Sequence, residues 1–170
     1  MIAGRDRAIL RVFLYTGARI GSVCRLRLED FVADGEEYTL RLSEKGGQRR
    51  TIGIHYLAGQ AIAEYIETAK LIEGPLFRPR AGGNSKMLVD RGMNETSMWR
   101  LVRGYLNQLP GGKDLTPHSL RATTATLLLD AGLDITHVQH LLGHRYVTTT
   151  QIYDKRRRLT RDSASHNVPL

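Results

Sequence analysis

A mainly helical domain carrying one small antiparallel sheet, an α+β fold, is predicted by three features of the chain. Apolar residues recur at helical spacing over most of its length, one short stretch alternates strictly around a glycine-rich turn, and Pro and Gly clusters separate the segments. At 170 residues the chain fits one domain, read as 1–154, followed by a basic tail at 155–170. It holds no internal repeat and no long low-complexity tract.

Each element has a local reason. Ile9, Leu10, Val12, Phe13 and Leu14 make a mostly buried helical face, broken by Thr16-Gly17 just before Arg19, which opens a second short helix through Val23 and Leu26. From Tyr38 to Ser43 the apolar residues alternate, and Ile52 and Ile54 alternate again after Glu44-Lys45-Gly46-Gly47-Gln48, so Lys45 falls at the tip of a hairpin. Helices follow at about 57–70 and 94–108, around a Pro/Gly-rich surface loop at 78–84. Thr116 caps a helix with Pro117 in its first turn, running to Gly132 and carrying His118 and Arg121 on one face. A further helix starts near Asp134, buries Ile135, Val138 and Leu142, and stops at Gly143, which leaves His144 just past its end. A last helical turn is expected to carry Tyr153.

Composition narrows the partners. Lys and Arg total 25 against 17 Asp and Glu, a formal charge of +8 that favours a polyanion, most economically nucleic acid. One cysteine, Cys24, excludes an intramolecular disulfide and a Cys-rich zinc site, and it suits a reducing cytoplasm. No apolar run is long enough for a membrane span, and the first ten residues are too charged for a secretory signal.

The residues with chemical potential are Arg19, Lys45, His118, Arg121, His144 and Tyr153. A phosphodiester resists nucleophiles because it is anionic, so its cleavage needs cations that neutralise the non-bridging oxygens as charge builds. Arg19 and Arg121 each offer a planar fork of donors to phosphate, which lysine does not. Tyr153 becomes a nucleophile once its phenol proton is removed or nearby positive charge stabilises the phenolate. His118 and His144 exchange protons near neutrality, and Lys45 on the hairpin can protonate the leaving 5′ oxygen. Neither a metal nor another cofactor is required. Lys155, Arg156, Arg157 and Arg158 form a basic run suited to gripping DNA phosphates.

The segments TGARIGSVCRLRLEDF, EKGGQRRTIGI, LTPHSLRATTATLLLDAGLDITHVQHLLGH and TTTQIYDK together resemble the catalytic domain of the tyrosine recombinases, the phage-integrase family, from about Arg5 to Lys155. By that resemblance Arg19 and Arg121 bind the scissile phosphate, Lys45 is the hairpin lysine, His118 and His144 are the two histidines and Tyr153 is the nucleophile. It implies site-specific recombination, integration or excision of a mobile element, through a 3′-phosphotyrosyl intermediate on double-stranded DNA. Self-association into a tetramer on that DNA is implied too.

Two departures stand out. Ser22 replaces the acidic residue common three positions after the first arginine, which implies a lost salt-bridging support for Arg19. The helical core-binding domain that normally precedes this segment is missing, so the chain is expected to be an N-terminally truncated catalytic domain. Two other readings compete. One is a non-catalytic DNA-binding remnant. The other is a zinc hydrolase built on His137, His140 and His144 with His118, opposed by Gly143, which ends the helix before the third histidine. Tyr146, just after His144, is the nearest rival nucleophile.

Overall fold

The computed structural model describes residues 1–44, 46–82 and 85–154. Among them the chain runs through α1 (Ile2–Thr16), α2 (Ile20–Cys24), β1 (Phe31–Asp34), β2 (Glu37–Ser43), β3 (Arg49–Gly53), α3 (Tyr56–Ala69), α4 (Glu95–Leu106), α5 (Pro117–Asp130), α6 (Ile135–Leu142) and α7 (Val147–Gln151). Helices dominate and the strands form one antiparallel sheet in the order β1-β2-β3, which is the class expected from the sequence. No helix of the described residues is long and apolar enough to cross a membrane.

α1 lies at the centre of the packing, against α3 on one side and α5 on another. Its buried face is Ile9, Val12, Phe13 and Thr16, an i, i+3, i+4, i+7 set. That spacing turns position 14 outward, and Leu14, expected on the buried face, is 37% exposed. Around α1 the main core gathers Leu40, Leu42 and Ile52 from the sheet, Ile62 and Tyr65 from α3, and Met98 and Val102 from α4. Each such side chain, fully withdrawn from water, contributes about 1.5–3 kcal/mol.

The strands put Leu40 opposite Ile52 and Leu42 opposite Arg50. β1, absent from the sequence expectation, pairs Phe31 with Leu40. Four mostly exposed residues, Phe-Val-Ala-Asp, offer too little alternation to be recognised.

Local capping bounds the helices that carry the site. Thr116 and Ser119 form the reciprocal box at the start of α5, with Pro117 in the first turn as expected. Asp134 accepts the Thr136 N–H at 2.7 Å and opens α6. Gly143 ends it in the left-handed region at φ 65°, where a side chain is strained. α5 and α6 enclose a second, smaller core of Ala125, Leu129, Val138 and Leu142, and Tyr153 packs against it. Tyr153 is not in the helical turn expected for it. α7 stops at Gln151, and the Tyr153 N–H bonds to the Thr150 carbonyl at 3.0 Å in the turn that follows. The β-branched run Val147-Thr148-Thr149-Thr150 propagates a helix poorly.

Candidate active site

The last carbonyls of an α-helix have no intrahelical partner and carry its negative dipole end. In α6 they collect three arginines from distant segments. Arg50 donates to the His140 carbonyl at 3.2 Å and to that of Leu141. Arg121 donates to the Leu142 carbonyl at 2.7 Å and, across the site, to the Gly17 carbonyl that ends α1. Arg19, which stands before the first turn of α2, reaches the Gly143 carbonyl at 3.4 Å through both terminal nitrogens. The two turns that make this possible are both glycine. Gly17 has φ 57°, and a Cβ there would lie 2.5 Å from Leu142; a Cβ on Gly143 would lie 2.7 Å from Arg50 Nε.

One carboxylate sits among these cations. Glu44 accepts from Arg19 at 2.8 Å and from the Ser22 hydroxyl at 3.1 Å on Oε2, and from Arg50 Nε at 3.0 Å on Oε1. Burial works against its ionisation, but the hydrogen bonds and charges of Arg19 and Arg50 prevail and hold its carboxyl below the usual range. The support expected to be lost with Ser22 is therefore present, supplied by the hairpin, with Ser22 as its hydrogen-bonding neighbour. Arg121, 4% exposed, is lowered to about 10 by burial and then by the charge of Arg19, and stays protonated at neutral pH. A single carboxylate among three guanidiniums leaves the cluster net positive, as an anion site requires.

The two histidines differ. His118, near the start of α5, is exposed and borders a cavity of about 370 Å³ with Arg19, Arg121 and Trp99. His144 is 9% exposed, its Nδ1 2.8 Å from the hydroxyl of the fully buried Thr150. Burial first, then Arg121, Arg19, Arg50 and His118, depress its pKa to about 4, so its imidazole is neutral at pH 7. The Tyr153 ring stacks beside it with centroids 6.2 Å apart, and Tyr153 lies within electrostatic reach of Arg121. Four of the other six tyrosines have different surroundings. Tyr15 stacks on His55, Tyr105 donates to Asp6, Tyr65 is in the core, and Tyr146 is 60% exposed beneath the Arg145 guanidinium.

Arg19 also borders a larger open cleft of about 860 Å³, together with Arg49, Arg50, His144 and Arg145. Four of the sequence candidates, Arg19, His118, Arg121 and His144, thus border two cavities that meet at Arg19, and the fifth, Tyr153, stacks beside His144. Lys45, Lys155, Arg156, Arg157 and Arg158 lie outside the described residues. Among those described, no three His, Cys, Asp or Glu side chains converge to hold a metal ion. His137 borders a small cavity beside β3 with His140, which also borders the large cleft, while His144 turns to Thr150.

Sequence reasoning assigned no role to Glu44, Arg50 or Thr150. Arg50 did leave a signal, because it shares the core-facing side of β3 with Ile52, and an arginine on an apolar strand face needs a counter-ion. Thr150, one of three consecutive threonines, left none.

A mainly helical domain with one three-stranded antiparallel sheet is the fold of the tyrosine-recombinase catalytic domains. It superimposes on the crystal structure of XerA recombinase with a TM-score of 0.75 at 26% identity, covering 98% of this chain and 59% of that one. It also shares the fold of XerH recombinase bound to its difH substrate, TM-score 0.74 at 22% identity, covering 98% of this chain and 47% of that one. The phage integrase family profile matches residues 2–158, and the chain belongs to that family. Curated relatives include tyrosine recombinase XerD of Corynebacterium glutamicum, 37% identical over 154 residues, covering 88% of this chain and 47% of the relative. Tyrosine recombinase XerA of Pyrococcus horikoshii is 34% identical over 151 residues, with coverages of 89% and 50%. The chain spans about half the length of these relatives.

Proposed function

We propose that this domain carries the chemistry of a site-specific DNA recombinase, cutting and rejoining double-stranded DNA through a phosphotyrosyl intermediate. The observation that carries the reading is the gathering of Arg19, Arg121, His144 and Tyr153 around the C-terminal end of α6 from opposite ends of the chain. Arg19 and Arg121 take the non-bridging oxygens of the scissile phosphate. The phenol oxygen of Tyr153 attacks phosphorus, a 3′-phosphotyrosyl bond forms, and the bond to the 5′ oxygen breaks. Lys45 gives that oxygen its proton. Neutral His144 holds a hydrogen bond to the phosphate, and the exposed imidazole of His118 takes the phenol proton. A 5′ hydroxyl from another strand then attacks the phosphotyrosine and restores a phosphodiester, so the bond energy is conserved and no cofactor is consumed. The basic run Lys155, Arg156, Arg157 and Arg158 grips DNA phosphates, and two partner duplexes are brought together by self-association of the protein.

The test is a pool of nicked duplexes of randomised sequence, incubated with the purified protein and resolved under denaturing conditions. A covalent protein–DNA adduct is expected with wild type and none with Tyr153→Phe. An adduct that survives Tyr153→Phe and vanishes in Tyr146→Phe moves the nucleophile. No adduct from wild type, with retarded migration in native gels, leaves a DNA-binding module in place of an enzyme.

A further inference from the structure

We infer that Glu44 is a positioning residue of the phosphate clamp, its carboxylate fixing Arg19 and Arg50 in register with the carbonyl-lined end of α6. The inference rests on the phosphodiester reading above and concerns a residue that this reading does not use.

A guanidinium that is to meet a phosphate in one orientation must be immobilised before the phosphate arrives. Arg19 has a long side chain that is 44% exposed, and its contacts to the Gly143 carbonyl are long, at 3.4 Å. They do not fix it alone. The short contact is to Glu44 at 2.8 Å, and Glu44 is itself held at three points, by Arg19, Arg50 and Ser22. Arg50 needs the same carboxylate for a different reason. Its side chain is 14% exposed, and one terminal nitrogen is buried without a hydrogen-bond partner among the described residues. Without Glu44 a buried cation is left to carbonyl dipoles alone, facing the like charges of Arg19 and Arg121. Through Arg50 the hairpin that bears Lys45 is tied to α6, so one carboxylate couples a phosphate ligand to the hairpin.

A carboxylate against Arg19 has a second conceivable role, as an occupant that the DNA phosphate must displace. The geometry argues for support. The Glu44 side chain is 9% exposed and both its oxygens are engaged, one of them by an arginine that stays buried, so its removal would uncover the Arg50 charge. Ser22 offers a direct way to separate the two roles. Its hydroxyl lies 3.1 Å from Glu44 Oε2, so a carboxylate carried on position 22 can reach Arg19 from α2 while the hairpin position is made neutral.

The experiment compares wild type, Glu44→Gln and the exchange variant Ser22→Glu with Glu44→Ser on the nicked duplex pool, under single-turnover conditions. Affinity for the same pool is measured in a Tyr153→Phe background, and thermal melting reports the folded state. Glu44→Gln keeps the shape and loses the charge. It is expected to slow adduct formation about tenfold or more while its affinity stays within about threefold of wild type. The exchange variant is expected to recover most of the rate, which a merely structural glutamate would not allow. Adduct formation by Glu44→Gln as fast as wild type, or faster, overturns the positioning role and leaves the recombinase reading intact. An exchange variant as slow as Glu44→Gln also overturns it. Absence of adduct from wild type defeats the recombinase reading and this inference together.

Discussion

Replacing Arg121 by lysine keeps the charge and removes the fork, which separates two kinds of contribution. In the structure one terminal nitrogen of Arg121 donates to the Gly17 carbonyl and the other to the Leu142 carbonyl. These carbonyls end α1 and α6, and a single ammonium on a shorter stem does not span them. At least one buried carbonyl is left unpaired, which costs about 1–3 kcal/mol of stability. The phosphate also loses one oriented donor, and such a loss in a preorganised anion site lowers the chemical step by about 10²–10³-fold. Two assays are therefore needed, urea denaturation for the folded state and single-turnover adduct formation at saturating duplex for the chemistry. Arg121→Lys should be down in both, and Arg121→Ala further down in stability. A lysine variant that loses stability as stated yet forms adduct within about threefold of wild type refutes the forked contact to phosphate. Arg121 would then be a structural tie between two helix ends.

Two further outcomes follow from the same geometry. Gly143→Ala must adopt φ near 65° and bring its Cβ to 2.7 Å from Arg50 Nε, so a loss of about 1–2 kcal/mol from the backbone alone is expected, with further loss as Arg50 moves. A urea midpoint unchanged from wild type would show that this turn has slack. His144 supplies a pH signature, since burial and the surrounding arginines depress its pKa from 6.5 to about 4. In that window the unfolded chain binds a proton that the folded protein does not, so stability is full above pH 6.5 and falls as the pH drops towards 4, by at most about 3 kcal/mol. His144→Gln should flatten that part of the stability–pH curve. Equal slopes for the two proteins would mean that the imidazole is charged in the folded state.

The sequence by itself determined the class of fold and the helix boundaries near the site. Thr116-Pro117, Asp134 and Gly143 are capping signals that act within one turn, and the alternation of Leu40, Leu42 and Ile52 is equally local, so each was readable from neighbours in the chain. β1 and the turn holding Tyr153 escaped because four residues and a broken helix carry too little periodicity. Only the tertiary structure decided that the C-terminal end of α6 is where three arginines meet, and that Glu44 stands where Ser22 left a gap. Those contacts join Arg19 to Gly143 across 124 positions, Arg50 to Leu141 across 91 and Arg121 to Leu142 across 21. Unpaired carbonyls at a helix end attract cations from any part of the chain that packing brings near, and no local pattern in the sequence records which ones arrive.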